Sequence, residues 1–292
     1  MSGTATTYHA TKTTYHTAKT HMKARAFFRH GLLIIIAVMM MLPYMWMVTS
    51  SFKTPTELSL TKFKLLPEHP TIENYRNALR VLKIMRFFYN SVIVSSASVI
   101  LQTAICALAA YALSRFDFPG ATLLLIVFIG TMMLPDEALM VPLFLLLKRL
   151  GLINTYLGMI FPLVPWGFSV YLLRQFFREI PKELEESAII DGCSPMGVFL
   201  RIILPLAKPA LGVIFIFSFI MTWDQFVIPL LVVSEQSMAT IPLGLANLVH
   251  EAGENHTLLA AATTLATIPS VAMFIAFQSY FIRGLTAGAL KG

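Results

Sequence analysis

Acidic and hydrogen-bonding side chains gather at a few points in this sequence. "ELEES" sets Glu183, Glu185 and Glu186 within four positions, and Asp191-Gly192 follow shortly. Carboxylates so placed suit the first turn of a helix, where unpaired N–H groups and the helix dipole are positive. There they can make ionic contacts with a partner. "TWDQF" sets Trp223, Asp224 and Gln225 side by side within an apolar run. An aromatic face beside hydrogen-bonding groups fits a ligand that combines C–H surfaces with hydroxyls. "MLPDEALMVP" holds Asp136 and Glu137 between Pro135 and Pro142. Prolines free backbone carbonyls, which at membrane depth need protein or water partners. Either this break lines a cavity, or the carboxylates mark an external helix end and "ALMVPLFLLLK" lies in the interface.

Other chemistry is poorly supplied. His9 and His16 fall in a near-repeat, "TTYHATK" then "TTYHTAK", and read as part of a solvated tail. His250 and His256 stand near Glu251 and Glu254 in a segment that also reads as solvated. Cys106 and Cys193 lie far apart and in no metal-ligand spacing, so both read as packing residues. No pattern of nucleophile, base and orienting group stands out. The phosphate-cradling GxxxxGK[ST] pattern is absent. The chain is therefore expected to be no enzyme and to bind no cofactor or metal.

The elements that must position these residues follow from composition. Of 292 residues, 57% are hydrophobic and 13% charged, with mean hydropathy +0.72. Soluble domains carry about 25% charged residues, so the chain belongs to the membrane class. The net charge of +7 forms no stripe, which argues against nucleic acid and fits loop ends at a lipid surface. A bilayer core needs about 20 apolar residues as a helix. Six segments qualify, at 31–51, 90–114, 120–147, 155–177, 205–233 and 257–282. The expected fold is all-α and polytopic, with no barrel alternation. Residues 1–30 are polar and basic and are expected to form a disordered tail ahead of a transmembrane domain at 31–292.

Six crossings put both termini on one side. With that side cytoplasmic, thirteen of the 22 lysines and arginines lie inside and nine outside, seven of them in loop 52–89. The loop 234–256 has none. The bias points to cytoplasmic termini and a cytoplasmic loop 178–204. Loop 52–89 is long enough to be a folded external segment.

Within loop 178–204, Pro181 opens a helix and the three glutamates crowd its positive end. Gly192 stops it, and Ser194-Pro195 restart a helix as cap and first position. Helix, glycine turn, helix is the expected local order. Residues alone leave two readings open, a stiff connector between spans or a docking element for another chain.

The spacing Glu186-Ser187-Ala188, then Gly192, then Ile202-x-Leu204-Pro205 resembles the EAA loop of ABC importer permeases. "ELEESAIIDG", "LRIILPLAKPAL", "AYALSRFDFPG", Asn90-Ser91 and the ending "QSYFIRGLTAGALKG" are similar to the carbohydrate, maltose-type branch. The resemblance covers most of 31–292. It implies a bacterial or archaeal inner-membrane permease for a sugar or oligosaccharide. A cytoplasmic coupling helix between spans 4 and 5 would dock on a separate ATP-binding subunit, present in two copies and carrying ATP and magnesium. Glu186 would make the ionic contact, with Ser187 and Ala188 beside it, Gly192 the turn and Asp191 a local support. A second homologous permease chain, an extracytoplasmic solute-binding protein and membrane lipid complete the implied partners. Ser187 and Cys193 stand where the family usually has alanine, and all are small. Asp224 stands where similar permeases usually have asparagine.

Asp224 either lines the substrate path with Trp223 and Gln225, or bonds a neighbouring helix, or sits near the outer water. Asn90, Gln102 and Thr103 are expected to bond between helices. The rival functions are an ion-coupled secondary transporter, which needs an internal repeat and a buried ion site, and a permease for a polyol or glycerol phosphate.

Overall fold

The computed structural model describes residues 4–59, 64–80, 84–251 and 255–289, with side chains described for 28–58, 64–80, 84–249 and 255–279. The side chains of His9, His16, His250, Glu251 and Glu254 lie outside that set. The helices are α1 (Thr4–Ser51), α2 (Pro55–Ser59), α3 (Glu73–Arg80), α4 (Ile84–Arg115) and α5 (Ala121–Thr131). They continue with α6 (Asp136–Arg149), α7 (Tyr156–Ile160), α8 (Gly167–Glu179), α9 (Glu183–Ile190) and α10 (Pro195–Val198). The last five are α11 (Leu204–Leu206), α12 (Lys208–Trp223), α13 (Val227–Val232), α14 (Ile241–Glu251) and α15 (His256–Ala289). No strand occurs among the described residues.

Three helices are long and apolar enough to cross a bilayer unaided: Phe28–Ser51, Ile84–Arg115 and His256–Ser279. Three bent pairs satisfy the same requirement jointly. They are Ala121–Thr131 with Asp136–Arg149, Tyr156–Leu163 with Gly167–Glu179, and Pro195–Leu206 with Lys208–Trp223, bent by 106°, 46° and 78°. Six crossings result if each pair counts as one.

Helix α1 runs from Thr4 through Pro43 to Ser51. Two of the apolar segments are less regular than a single straight span. The third segment is an elbow. Pro135, extended at φ −68° and ψ 137°, precedes the new helix, and its ring cannot supply the N–H a continuous helix needs. The fifth segment is helical only to Trp223, after which Asp224 closes α12 and α13 resumes at Val227.

The central element is α4, whose 32 residues span about 48 Å at 1.5 Å per residue. It packs on α8 and α12, and α12 packs on α15, which also holds α1. Tyr111, Phe177, Phe199, Ile203 and Ile214 form the core at the Arg115 end. Phe87, Phe219, Trp223, Ile241 and Ala266 form it toward the Ile84 end. At Gly167 a Cβ would lie 2.2 Å from the Phe128 carbonyl oxygen, so only glycine lets α8 approach α5 this closely. No residue of α5 is buried, and Leu32, Ile35 and Met39 of α1 are exposed. Apolar surface of this kind faces lipid or another chain.

The segment after α1 is folded, as its length suggests. Asn74 donates from Nδ2 to the Ser51 and Lys53 carbonyls, each at 2.8 Å, and accepts from the Thr257 hydroxyl at 3.2 Å. Lys53 is buried, with its ammonium 4.1 Å from the Trp46 ring centroid.

Candidate functional site

Local signals set the boundaries of the α9–α10 element. Glu183, Glu185 and Glu186 occupy the first turn of α9, where the dipole favours them. The helix ends at Gly192 with φ 86°. There the Gly192 N–H donates to the Ile189 carbonyl and the Cys193 N–H to the Ala188 carbonyl, both at 2.9 Å. This paired closure is a Schellman motif, and glycine supplies its left-handed residue without a Cβ clash. The next helix starts with Ser194, whose Oγ accepts from the Gly197 N–H at 3.2 Å, and Pro195 at its first position.

Burial divides the expected contact residues. Glu186, Ser187, Asp191 and Gly192 are exposed, together with Leu184, Ile189 and Ile190, the last at 85%. Ala188 is buried. It belongs to the core at the Arg115 end, so its small side chain serves packing within this chain rather than contact outside it. The Ser187 hydroxyl donates to the Glu183 carbonyl at 2.8 Å, so it is satisfied within its own helix.

Glu185 is buried and forms an ion pair with Arg115, the last residue of α4. Arg115 Nη2 also donates to the Ile180 carbonyl at 2.9 Å, and Arg174 Nε to the Leu113 carbonyl at 3.0 Å. Sequence reasoning missed this pair. Arg115 is the lone cation closing the second span, which was the available signal, but three nearby glutamates compete for it and only the helix phase selects Glu185.

The "TWDQF" residues separate. Trp223 turns inward: its Nε1 donates to the Ala266 carbonyl at 3.1 Å, and its ring stacks on Phe219 at 5.5 Å and meets Phe88 edge-on at 5.7 Å. Both neighbours cover it, so it offers no open aromatic face within this chain. Gln225 Oε1 accepts from the Val227 N–H at 3.0 Å and so starts α13. Asp224 is exposed, as is Phe226, at the break between α12 and α13. The contact with Phe88 sets this break toward the Ile84 end of α4, not at mid-span. Asp136 and Glu137 are exposed in the first turn of α6, as a helix end would place them.

The end of the bundle away from α9 is built around Asn90. Fully buried, it donates from Nδ2 to the carbonyls of Ser237 at 2.9 Å and Ala239 at 2.8 Å. Its Oδ1 accepts from the Tyr156 hydroxyl at 2.7 Å. Ser91 Oγ accepts from the Ile241 N–H at 2.8 Å, and Gln102 donates to Ser169 Oγ at 3.1 Å. Interhelical bonding is thus the role of Asn90 and Gln102, as expected, but not of Thr103, whose buried hydroxyl has no hydrogen-bond partner among the described residues. Beside this hub lies an open groove of about 370 Å³, lined by Leu230, Ser234, Glu235, Gln236, Leu243 and Asn247 among others.

With these features in place, the comparison with known proteins is decisive. Residues 102–287 match the family described as "Binding-protein-dependent transport system inner membrane component". This chain belongs to that family. The permease is 36% identical over 260 residues to the arabinooligosaccharides transport system permease protein AraQ of Halalkalibacterium halodurans, covering 88% of this chain and 93% of that one. It is 37% identical over 267 residues to the trehalose/maltose transport system permease protein MalG of Thermococcus litoralis, covering 89% and 94%. It is 33% identical over 268 residues to the diacetylchitobiose uptake system permease protein NgcG of Streptomyces coelicolor, covering 90% and 88%. The fold matches a chain in the crystal structure of a bacterial ABC transporter that imports alginate, with TM-score 0.80, 22% identity and coverage of 89% and 97%. The permease is therefore a multi-pass membrane component of a binding-protein-dependent transport system.

Proposed function

We propose that this permease translocates a sugar or oligosaccharide delivered by an extracytoplasmic binding protein, driven by ATP hydrolysis on a separate subunit. The observation that carries the reading is identity of 33–37% across nearly the whole chain to permeases whose named cargoes are all carbohydrates. A related alginate importer has been crystallised with its periplasmic protein bound, which supports a binding-protein partner here.

The permease crosses the membrane six times, with each bent pair as one crossing, and both termini face the cytoplasm. The distribution of lysine and arginine supports this orientation. It places α9 and α10 inside, where Glu186, Ser187, Asp191 and Gly192, with Leu184, Ile189 and Ile190, dock on the ATP-binding subunit. Two such subunits bind ATP and magnesium. An exposed apolar knob beside a carboxylate fits that role, because a partner's cleft can bury the isoleucines while a basic group pairs with Glu186.

The exposed apolar faces of α1 and α5 face lipid and a second, homologous permease chain. Asp224 looks toward the translocation path between the two, near the outer mouth, where its carboxylate can accept hydrogen bonds from sugar hydroxyls. Substrate moves when ATP favours one access state over the other through differential contacts at α9. Uptake of labelled oligosaccharides into vesicles carrying the assembled complex tests the reading. ATP inside the vesicles should be required, and uptake that runs on an ion gradient without the ATP-binding subunit would overturn it.

A further inference from the structure

The covalent route from α9 onward to α12 is full of joints. Gly192 turns left-handed, Phe199–Ile203 winds as a π turn, and a bend of 78° follows between Leu206 and Lys208. A push on α9 along this route would flex the joints before it moved α12.

A second route bypasses them. Glu185 in α9 pairs with Arg115 at the end of α4. The same arginine grips the chain just ahead of α9 through the Ile180 carbonyl. Tyr111, one turn earlier on α4, donates its hydroxyl to the Pro195 carbonyl at 3.4 Å and lays its ring 4.9 Å from Phe199. One helix therefore holds the element before, within and after α9. The Arg115 and Glu185 side chains are only 6% and 10% exposed. Parting them would leave two uncompensated charges in a poorly solvated site, so the contact resists separation. The helix ends reinforce it, since α4 presents its negative terminus and α9 its positive one.

We propose that Arg115 and Glu185 form a strut that fixes α9 to α4, so that the docking element and the central helix move as one body during transport. The inference rests on the proposed docking of α9 to an ATP-binding subunit. Both are positioning residues, which touch neither substrate nor nucleotide. Because α4 packs on α8 and α12, a tilt of α4 reaches the rest of the bundle without passing the joints. Packed cores switch between discrete arrangements rather than bend smoothly, so a stiff link matters more than a long one.

Two measurements on the complete complex decide this. In the double variant Arg115→Met with Glu185→Leu both charges go together, a replacement that buried pairs often tolerate without loss of stability. Sugar taken up per ATP hydrolysed should fall at least tenfold while hydrolysis continues; an unchanged ratio overturns the strut. The second measurement leaves the strut intact and stands even if that variant fails to assemble. Spin labels at Glu183→Cys and Asp117→Cys, in a Cys193→Ser background, should keep one separation with and without ATP bound. A separation that shifts between the two states overturns the proposal. Absence of ATP-driven uptake by the wild-type complex would instead strike the proposed function, and the label distances would still judge the strut.

Discussion

Tyr156 donates its hydroxyl hydrogen to Asn90 Oδ1 at 2.7 Å, and this contact ties the short helix α7 to the start of α4. The amide nitrogen of Asn90 binds two carbonyls of the 237–239 turn. A single buried side chain thus joins three segments at the end remote from α9.

Replacing Asn90 with leucine should leave two carbonyls and a hydroxyl without partners. Each buried group left unpaired costs about 1–3 kcal/mol, although measured interhelical bonds in membranes average about 0.6 kcal/mol. Thermal unfolding of the purified permease should show a clear loss for Asn90→Leu and a smaller one for Tyr156→Phe. The double variant should lose less than the sum, because the two residues share one bond.

The inward and outward faces of α9 should separate in mutational tests. Ala188→Leu overpacks a buried site and should destabilise the permease by about 1–3 kcal/mol. Ile190→Asp changes an exposed position and should leave the melting temperature alone while abolishing co-purification with the ATP-binding subunit. Equal effects of the two on stability would contradict the assigned faces.

Gly192→Ala places a Cβ on a left-handed residue, at a cost of about 1–2 kcal/mol. The space around it is open, so the cost is conformational and not steric. Gly192→Asn should therefore recover much of the stability, since asparagine tolerates this region.

Trp223 and Asp224 are adjacent but should behave oppositely. Trp223→Phe loses the bond to the Ala266 carbonyl and should lower stability. Asp224→Asn, at an exposed break, should leave stability intact and alter the apparent KM for sugar uptake. An Asp224→Asn permease with unaltered transport kinetics would remove Asp224 from the substrate path.

What the sequence makes legible is local. Proline, glycine and serine punctuate residues 181–195 so tightly that helix, turn and helix are readable from residue types alone. The apolar runs announce membrane helices for the same reason. Direction is harder. Glu185 and Glu186 are neighbours of identical type, and a rotation of about 100° per residue puts one in the core and the other outside. The inward turn of Trp223 depends on Phe88 and Phe219, the former 135 positions away in the chain. Asn154, at φ 58°, accepts from the Ser234 and Glu235 N–H groups at 3.2 Å and carries no sequence signal of that role. The elbow at Pro135 is flagged by its proline, but the size of its bend, 106°, is not written in the residue types.

Everything proposed for transport depends on the exposed face of α9 coupling this permease to an ATP-binding subunit. ATP-driven sugar uptake in vesicles, by complexes carrying Glu186→Lys, probes that coupling at the ionic contact proposed for Glu186. Membrane insertion should be normal and uptake should fall at least tenfold, comparable to about 1.4 kcal/mol or more of lost coupling. Uptake at the wild-type rate would contradict the coupling role of α9.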